Sequence, residues 1–128
     1  MNENDIGKVI VNCAVNIHKQ LGPGLLESVY EVVLAHELEQ SGLLVNRQVS
    51  VPIMYKGFNF SEGFRADIVV ENKVIIELKS VELIHRVYKK QVLTYLKLMD
   101  CKLGYLLNFG EELMKDGISR IINGEIGS

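Results

Sequence analysis

Two carboxylates and a lysine on one predicted β-hairpin are candidates for a metal-dependent catalytic site. A hairpin symmetric about Asn72 would place Asp67 directly opposite Glu77, with Lys79 two residues further on the same face. Carboxylates that face one another across antiparallel strands repel unless a cation lies between them, and hard oxygen ligands suit Mg²⁺ or Mn²⁺. Lys79 could then hold a nucleophilic water or stabilise charge on a phosphate. A solvated sheet face with incidental ion pairs is the alternative interpretation.

The hairpin that carries these residues has a clear hydrophobic pattern. Its predicted strands run from residue 64 to 70 and from residue 74 to 79. All of the even-numbered residues are apolar and predict one buried face: Phe64, Ala66, Ile68, Val70, Val74, Ile76 and Leu78. The odd-numbered residues predict a second face that holds the three chemical groups together with Arg65, Val69 and Ile75.

The remaining elements predict a single α/β domain over residues 1–128. Apolar spacing and glycine or proline stop signals predict helices over residues 5–21, 25–40, 85–99 and 112–122. Further strands are predicted over residues 45–51, 53–55 and 103–108. A mixed sheet of three to five strands flanked by helices would bury these elements, and the step from residues 74–79 through a helix to 103–108 predicts a right-handed crossover.

Composition narrows the class of protein. Hydrophobic residues make up 48% and charged residues 23%, which is typical of a folded domain and argues against disorder. A net charge of −2 argues against a nucleic-acid coat protein but not against a local basic patch. The apolar runs are too short for a membrane span and the acidic N-terminus is unlike a signal peptide, so a cytoplasmic protein is expected. Cys13 and Cys101 lack metal-ligand spacing and are expected to be reduced, buried thiols.

Four elements in order resemble one family. Asp67 followed by Glu77-Leu78-Lys79 is similar to the D…(D/E)-x-K signature of the PD-(D/E)XK nuclease superfamily. The segment from Gly24 to Tyr30 resembles the G-x-x-E-x-x-Y string of small bacterial and archaeal proteins in that superfamily. Gln91 and Tyr95 match its Q-x-x-x-Y element, and Leu107-Asn108-Phe109-Gly110 resembles the closing strand. The departures are Ala66 in place of proline and Tyr88 where relatives often carry histidine.

The resemblance implies a restriction-endonuclease-like fold and a role for each matching residue. Asp67, Glu77, the backbone carbonyl of Leu78 and Glu27 would hold Mg²⁺ or Mn²⁺, and Lys79 would orient the water. Gln91 and Tyr95 would position a phosphate, a base or the lysine. Tyr30 is expected to contact nucleic acid; a half-buried aromatic is the plainer alternative, as a helix N-terminal acid is for Glu27.

A basic helix supplies the expected contact with nucleic acid. Between His85 and Lys102 there are five basic residues against one acid, Asp100. The four on the helix, Arg86, Lys89, Lys90 and Lys97, are expected to face a phosphate backbone. The sequence therefore predicts a metal-dependent nuclease acting on nucleic acid, with DNA as the favoured substrate. The alternatives are an inactive nuclease-fold module that binds nucleic acid or a protein, and a subunit active only as a homodimer or with a motor protein.

Overall fold

A computed structural model describes residues 1–60 and 63–127 of the chain. The helices are α1 (Glu3–Leu21), α2 (Glu27–Gln40), α3 (Arg86–Met99) and the single turn α4 (Met114–Gly117). The strands are β1 (Val45–Ser50), β2 (Ile53–Tyr55), β3 (Phe58–Phe60), β4 (Arg65–Val70), β5 (Val74–Lys79), β6 (Leu103–Asn108) and β7 (Ile118–Ile122). None of the helices in the described ranges is long and apolar enough to cross a membrane.

Five strands form one mixed sheet in the order β1-β4-β5-β6-β7. Only β5 and β6 run parallel, and α3 connects them, so the predicted strand–helix–strand crossover is confirmed. The other neighbours in this sheet are antiparallel. Strands β2 and β3 form a separate two-stranded ribbon. This arrangement confirms the predicted α/β class with a mixed sheet flanked by helices.

The β4–β5 hairpin has the predicted register. Val70 pairs with Val74 and Ile68 pairs with Ile76, as symmetry about Asn72 requires. Glu71 and Asn72 both adopt left-handed backbone with φ of 53°, a conformation that Asn tolerates better than most residues. The short turn thus sets which residues of the two strands meet at their far ends.

Apolar clusters cover both faces of the sheet. Helices α1 and α2 pack on one face, where the first cluster includes Cys13, and α3 packs on the other, where the second cluster includes Cys101. Both cysteines are free and buried, as predicted, and burial raises the pKa of each thiol. Helix α3 lies very close to β6, since a Cβ at Gly104 would come within 2.8 Å of the Val92 side chain.

The prediction that all even-numbered hairpin residues share one face is wrong at the start of β4. Ile68 and the even-numbered residues that follow it lie in the first cluster. Ala66 and Phe64 instead pack with the second cluster, together with the odd-numbered Val69 and Ile75. The alternation therefore shifts by one residue at Asp67, where the strand departs from regular pairing.

The predicted C-terminal helix over residues 112–122 is also wrong. Only the turn Met114–Gly117 is helical, and β7 follows as an antiparallel edge strand, with Ile118 opposite Leu107. Three of the five β7 residues are isoleucine, which favours strands, and β6 would otherwise be left as the unpaired edge of the sheet. The sequence prediction also missed the three-residue β3, which pairs with β2 across the predicted turn at Lys56 and Gly57.

Candidate active site

The side chains of Asp67 and Glu77 each accept a hydrogen bond from the main chain of the opposite strand. The Asp67 amide donates to Glu77 Oε1 at 2.9 Å, and the Leu78 amide donates to Asp67 Oδ2 at 2.9 Å. Regular strand pairing ends at Ile68 and Ile76, so these two bonds replace the direct cross-strand pairing that the sequence predicts. The hairpin nevertheless brings the two carboxylates together as expected, and Asp67 Oδ1 and Glu77 Oε2 lie outside the two reciprocal bonds.

The electrostatics of this pair are unfavourable without a cation. Glu77 is only 6% exposed, and burial, followed by the charge of Asp67, raises the pKa of Glu77 to about 8. A divalent cation bound to Asp67 Oδ1 and Glu77 Oε2 would relieve both effects, because oxygen donors of this charge suit Mg²⁺ or Mn²⁺. The donor chemistry of the pair therefore fits the metal that the sequence predicts.

Lys79 is held at both of its ends. Its main-chain carbonyl accepts from the Phe109 amide at 2.8 Å, which extends the pairing of β5 with β6. Its Nζ lies 4.5 Å from the centre of the Tyr88 ring on α3, within the range of a cation–π contact. Tyr88 thus orients the lysine head beside α3, a role that the sequence did not indicate.

Gln91 and Tyr95 lie on one face of α3, and Tyr95 is close enough to Glu77 and Asp67 to feel their charges. The two side chains line one open groove of about 340 Å³ together with Phe64 and Tyr88. Tyr95 is 3% exposed and packs edge-on against the Phe64 ring, with 5.6 Å between ring centres. Burial, followed by the charges of Glu77 and Asp67, raises the pKa of Tyr95 to about 12, so its phenol stays protonated.

A polar link that the sequence did not reveal reaches Asp67 from α2. Gln48 Nε2 donates to Glu31 Oε1 at 2.7 Å and to Asp67 Oδ1 at 3.3 Å. Glu31 is buried and also accepts from Arg47 at 2.8 and 3.0 Å. Gln48 has a φ of 52°, and the β1–β4 register skips from Arg47–Ile68 to Val49–Ala66 around it. Strain in a non-glycine residue here is consistent with a functional constraint.

Glu27 lies at the first residue of α2 and is exposed. The loop before it is tied to the residue after Lys79, since Ser80 Oγ donates to the Leu25 carbonyl at 2.7 Å. Within residues 1–60 and 63–127, however, no three Asp, Glu, His or Cys side chains form a group that could hold a metal. Glu27 is therefore near the loop that follows β5 but does not complete a three-carboxylate centre.

The prediction that Tyr30 contacts nucleic acid is wrong in this structure, because its side chain is fully buried. Its hydroxyl donates to the Gly22 carbonyl and accepts from the Leu25 amide at 3.2 Å. Its ring stacks on Phe109 with 4.3 Å between ring centres. The tyrosine of the G-x-x-E-x-x-Y string therefore fixes the loop before α2 rather than offering a surface.

Asn108 fixes a second loop at the same end of the sheet. Its buried side chain accepts from the amides of Val81 and Gly110 and donates to the Val81 carbonyl at 2.9 Å. A Cβ at Gly110 would collide with the Val81 main chain, so only glycine fits there. Tyr30, Phe109 and Asn108 together form what we call the loop clamp, which holds the chain segments that flank Lys79.

The predicted basic surface is present on α3. Arg86, Lys89, Lys90 and Lys97 are all exposed, while Val92, Tyr95 and Leu96 are buried against the sheet. Lys90 also lines the groove that contains Gln91. The helix therefore presents cations to solvent beside the carboxylate pair, and Lys97 lies two turns further along.

Comparison with known families agrees with this architecture. A family model described as the PD-(D/E)XK nuclease superfamily matches residues 4–121. The chain belongs to the PD-(D/E)XK nuclease superfamily. Comparisons with curated proteins and with solved structures give no match.

Proposed function

We propose that this protein is a metal-dependent nuclease that hydrolyses phosphodiester bonds in nucleic acid, DNA first among the substrates. The observation that carries the proposal is the Asp67–Glu77 pair, two carboxylates held against each other beside Lys79. Such an arrangement lowers the stability of the fold, and in a member of a nuclease superfamily the expected reason for it is binding of a catalytic metal.

Asp67, Glu77 and the backbone carbonyl of Leu78 would hold Mg²⁺ or Mn²⁺, and Glu27 would contribute directly or through a water molecule. When bound, the ion polarises the scissile phosphate and lowers the pKa of a coordinated water. Gln48 orients Asp67 through its amide, and Glu31 holds Gln48 in place. The Gln48 amide thereby holds Asp67 Oδ1 away from the main chain.

The other groups act on the substrate. Lys79 holds the attacking water or stabilises the charge on the phosphate, with its ammonium positioned over Tyr88. Gln91 donates from its amide to a phosphate or a base in the groove. Tyr95 stays protonated and so remains able to donate a hydrogen bond. The exposed cations of α3 would align the phosphate backbone along the helix.

The direct test is cleavage of labelled linear, nicked, branched and single-stranded nucleic acids in Mg²⁺ or Mn²⁺. We expect cleavage by the wild-type protein and a loss of a hundredfold or more in Glu77→Gln and Lys79→Ala. Glu39→Gln and Lys115→Ala, which remove exposed charges elsewhere, are the matched controls and should cleave normally. Wild-type cleavage that survives both active-site substitutions would show that another site, or a contaminant, is responsible.

One observation favours a second function, a nuclease-fold module that binds nucleic acid or a protein without turnover. Across the described residues the acids do not form a three-member metal group. Calorimetry with Mn²⁺ separates the two functions. Binding that Glu77→Gln abolishes supports the nuclease, whereas absent Mn²⁺ binding together with retained nucleic-acid binding supports the module.

A further inference from the structure

The β2–β3 ribbon has one aromatic face. Tyr55 lies opposite Phe58 and Ile53 lies opposite Phe60, and directly opposed residues of an antiparallel pair point to the same side. Met54 lies opposite Asn59 and points to the other side. Three aromatic rings and one aliphatic side chain thus share a single surface of this small ribbon.

This aromatic face is open to solvent. Phe58 is 69% exposed, Tyr55 60% and Phe60 49%. A lone two-stranded ribbon is marginally stable in water, and large exposed apolar patches mark surfaces that bind something. The ribbon therefore presents a stacking platform that the other described residues leave open to solvent.

The ribbon projects from the end of the sheet that carries Asp67. The pairing of β1 with β4 ends at Ser50 and Arg65. Beyond it, the Val51 amide donates to the Phe64 carbonyl at 3.1 Å. Val51 precedes the ribbon and Phe64 follows it, so this bond lies at the base of the ribbon. Phe64 contacts the ring of Tyr95 and lines the α3 groove that also contains Gln91 and Tyr88. The base of the ribbon is thus continuous with the groove.

Charge favours nucleic acid as the occupant. Lys56 at the tip lies 5.4 Å from the centre of the Tyr55 ring, and Arg65 at the base is exposed. The one acid between them in sequence, Glu62, lies outside the described residues. A second copy of the chain would bring the same cations, whereas a nucleic-acid strand brings bases for the rings and phosphates for the cations.

We propose that the aromatic face of the β2–β3 ribbon stacks unpaired nucleobases and guides a single-stranded segment toward the Asp67–Glu77 pair. The inference rests on the proposed nuclease function and specifies its substrate class. Paired bases are stacked on their neighbours and cannot lie on the rings, so the preferred substrate has a single-stranded end or flap.

The test measures binding rather than cleavage. Fluorescence anisotropy would compare a labelled 15-nucleotide single strand with a blunt duplex, using full-length protein that carries Lys79→Ala to prevent turnover. Adding Phe58→Ala or Tyr55→Ala should weaken single-strand binding about tenfold or more, with duplex binding unchanged. Met54→Ala is the matched control, because Met54 is 63% exposed on the opposite face, and it should change binding less than twofold.

Other results would overturn the proposal. Equal losses for Phe58→Ala and Met54→Ala, or no loss for either ring, would exclude a stacking role for this face. A wild-type dimer in sedimentation that becomes monomeric in Phe58→Ala, with unchanged single-strand binding, would assign the face to a second copy instead. Failure of the nuclease proposal remains distinguishable, since ring-dependent binding without any wild-type cleavage would retain the ribbon's role and remove only the turnover.

Discussion

The Asp67–Glu77 pair and the loop clamp lie at the same end of the sheet but are built on opposite principles. The pair brings two carboxylates together, and burial, followed by the charge of Asp67, raises the pKa of Glu77 to about 8. The clamp stacks Tyr30 on Phe109, and Asn108 satisfies its own buried polar atoms. The first arrangement opposes folding and the second favours it. Substitutions in the pair should therefore affect function without lowering stability, and substitutions in the clamp should do the reverse.

The largest expected effect tests how much stability the protein loses by holding an ionised Glu77 beside Asp67. The pKa of Glu77 is about 8 in the folded protein against 4.5 normally, so the folded state holds an extra proton between these pH values. Raising the pH through this window in EDTA should lower the free energy of unfolding of wild type, relative to Glu77→Gln, by on the order of 5 kcal/mol. Urea titrations of both proteins at several pH values measure this difference. Parallel pH profiles would show that Glu77 titrates normally and that the pair carries no strain.

The next effect tests the clamp. Phe109→Ala removes a fully buried ring and should lower the free energy of unfolding by about 3–5 kcal/mol. Phe58→Ala is the control for the loss of a phenyl ring at an exposed position, where stability should change by less than about 0.5 kcal/mol. At temperatures well below its unfolding midpoint, the Phe109→Ala protein should keep the wild-type nuclease activity per folded molecule. A Phe109→Ala protein that is stable but inactive would show that the loop clamp is needed for catalysis rather than for stability.

The smallest expected effect tests whether Gln48 belongs to the metal site formed by Asp67 and Glu77. Gln48→Gly removes the amide that reaches Asp67 but suits a φ of 52° better than glutamine does. We expect Mn²⁺ affinity to fall tenfold to a hundredfold while stability is unchanged or higher. Asn46→Ala, two residues earlier and exposed on the same strand, is the control in calorimetry and urea titration. Unchanged Mn²⁺ affinity would limit the site to Asp67 and Glu77 themselves.

Local patterns were sufficient to predict most of the fold. The turn at Asn72 and the apolar alternation fix the β4–β5 register, and the bounds of β6 match the predicted 103–108 segment. The segment Ile118–Ile122 was misassigned because its apolar spacing suits either a helix or an edge strand. The need of β6 for a neighbour decides between them, and that need is a property of the assembled sheet.

The candidate site was predictable only where its residues lie on one hairpin or one helix. Asp67, Glu77 and Lys79 follow from the hairpin pattern. Gln91 and Tyr95 were assigned to the site through the family resemblance, and helical spacing gives only that they share one face. The link from Glu31 through Gln48 to Asp67 joins three elements, and the left-handed backbone of Gln48 leaves no mark in composition or periodicity. The burial of Tyr30 depends on Phe109, which is far along the chain, so spacing within α2 could not predict it.

The two buried thiols can serve as probes of local opening on each side of the sheet. Cys13 lies on the buried face of α1 and Cys101 lies just after the end of α3, on opposite sides of the five-stranded sheet. Because burial raises the pKa of both thiols, each will react with an alkylating reagent only when its own layer opens. In variants that keep one cysteine at a time, alkylation rates will report the opening of each helical layer separately. A difference between those rates will show which side of the sheet loosens first.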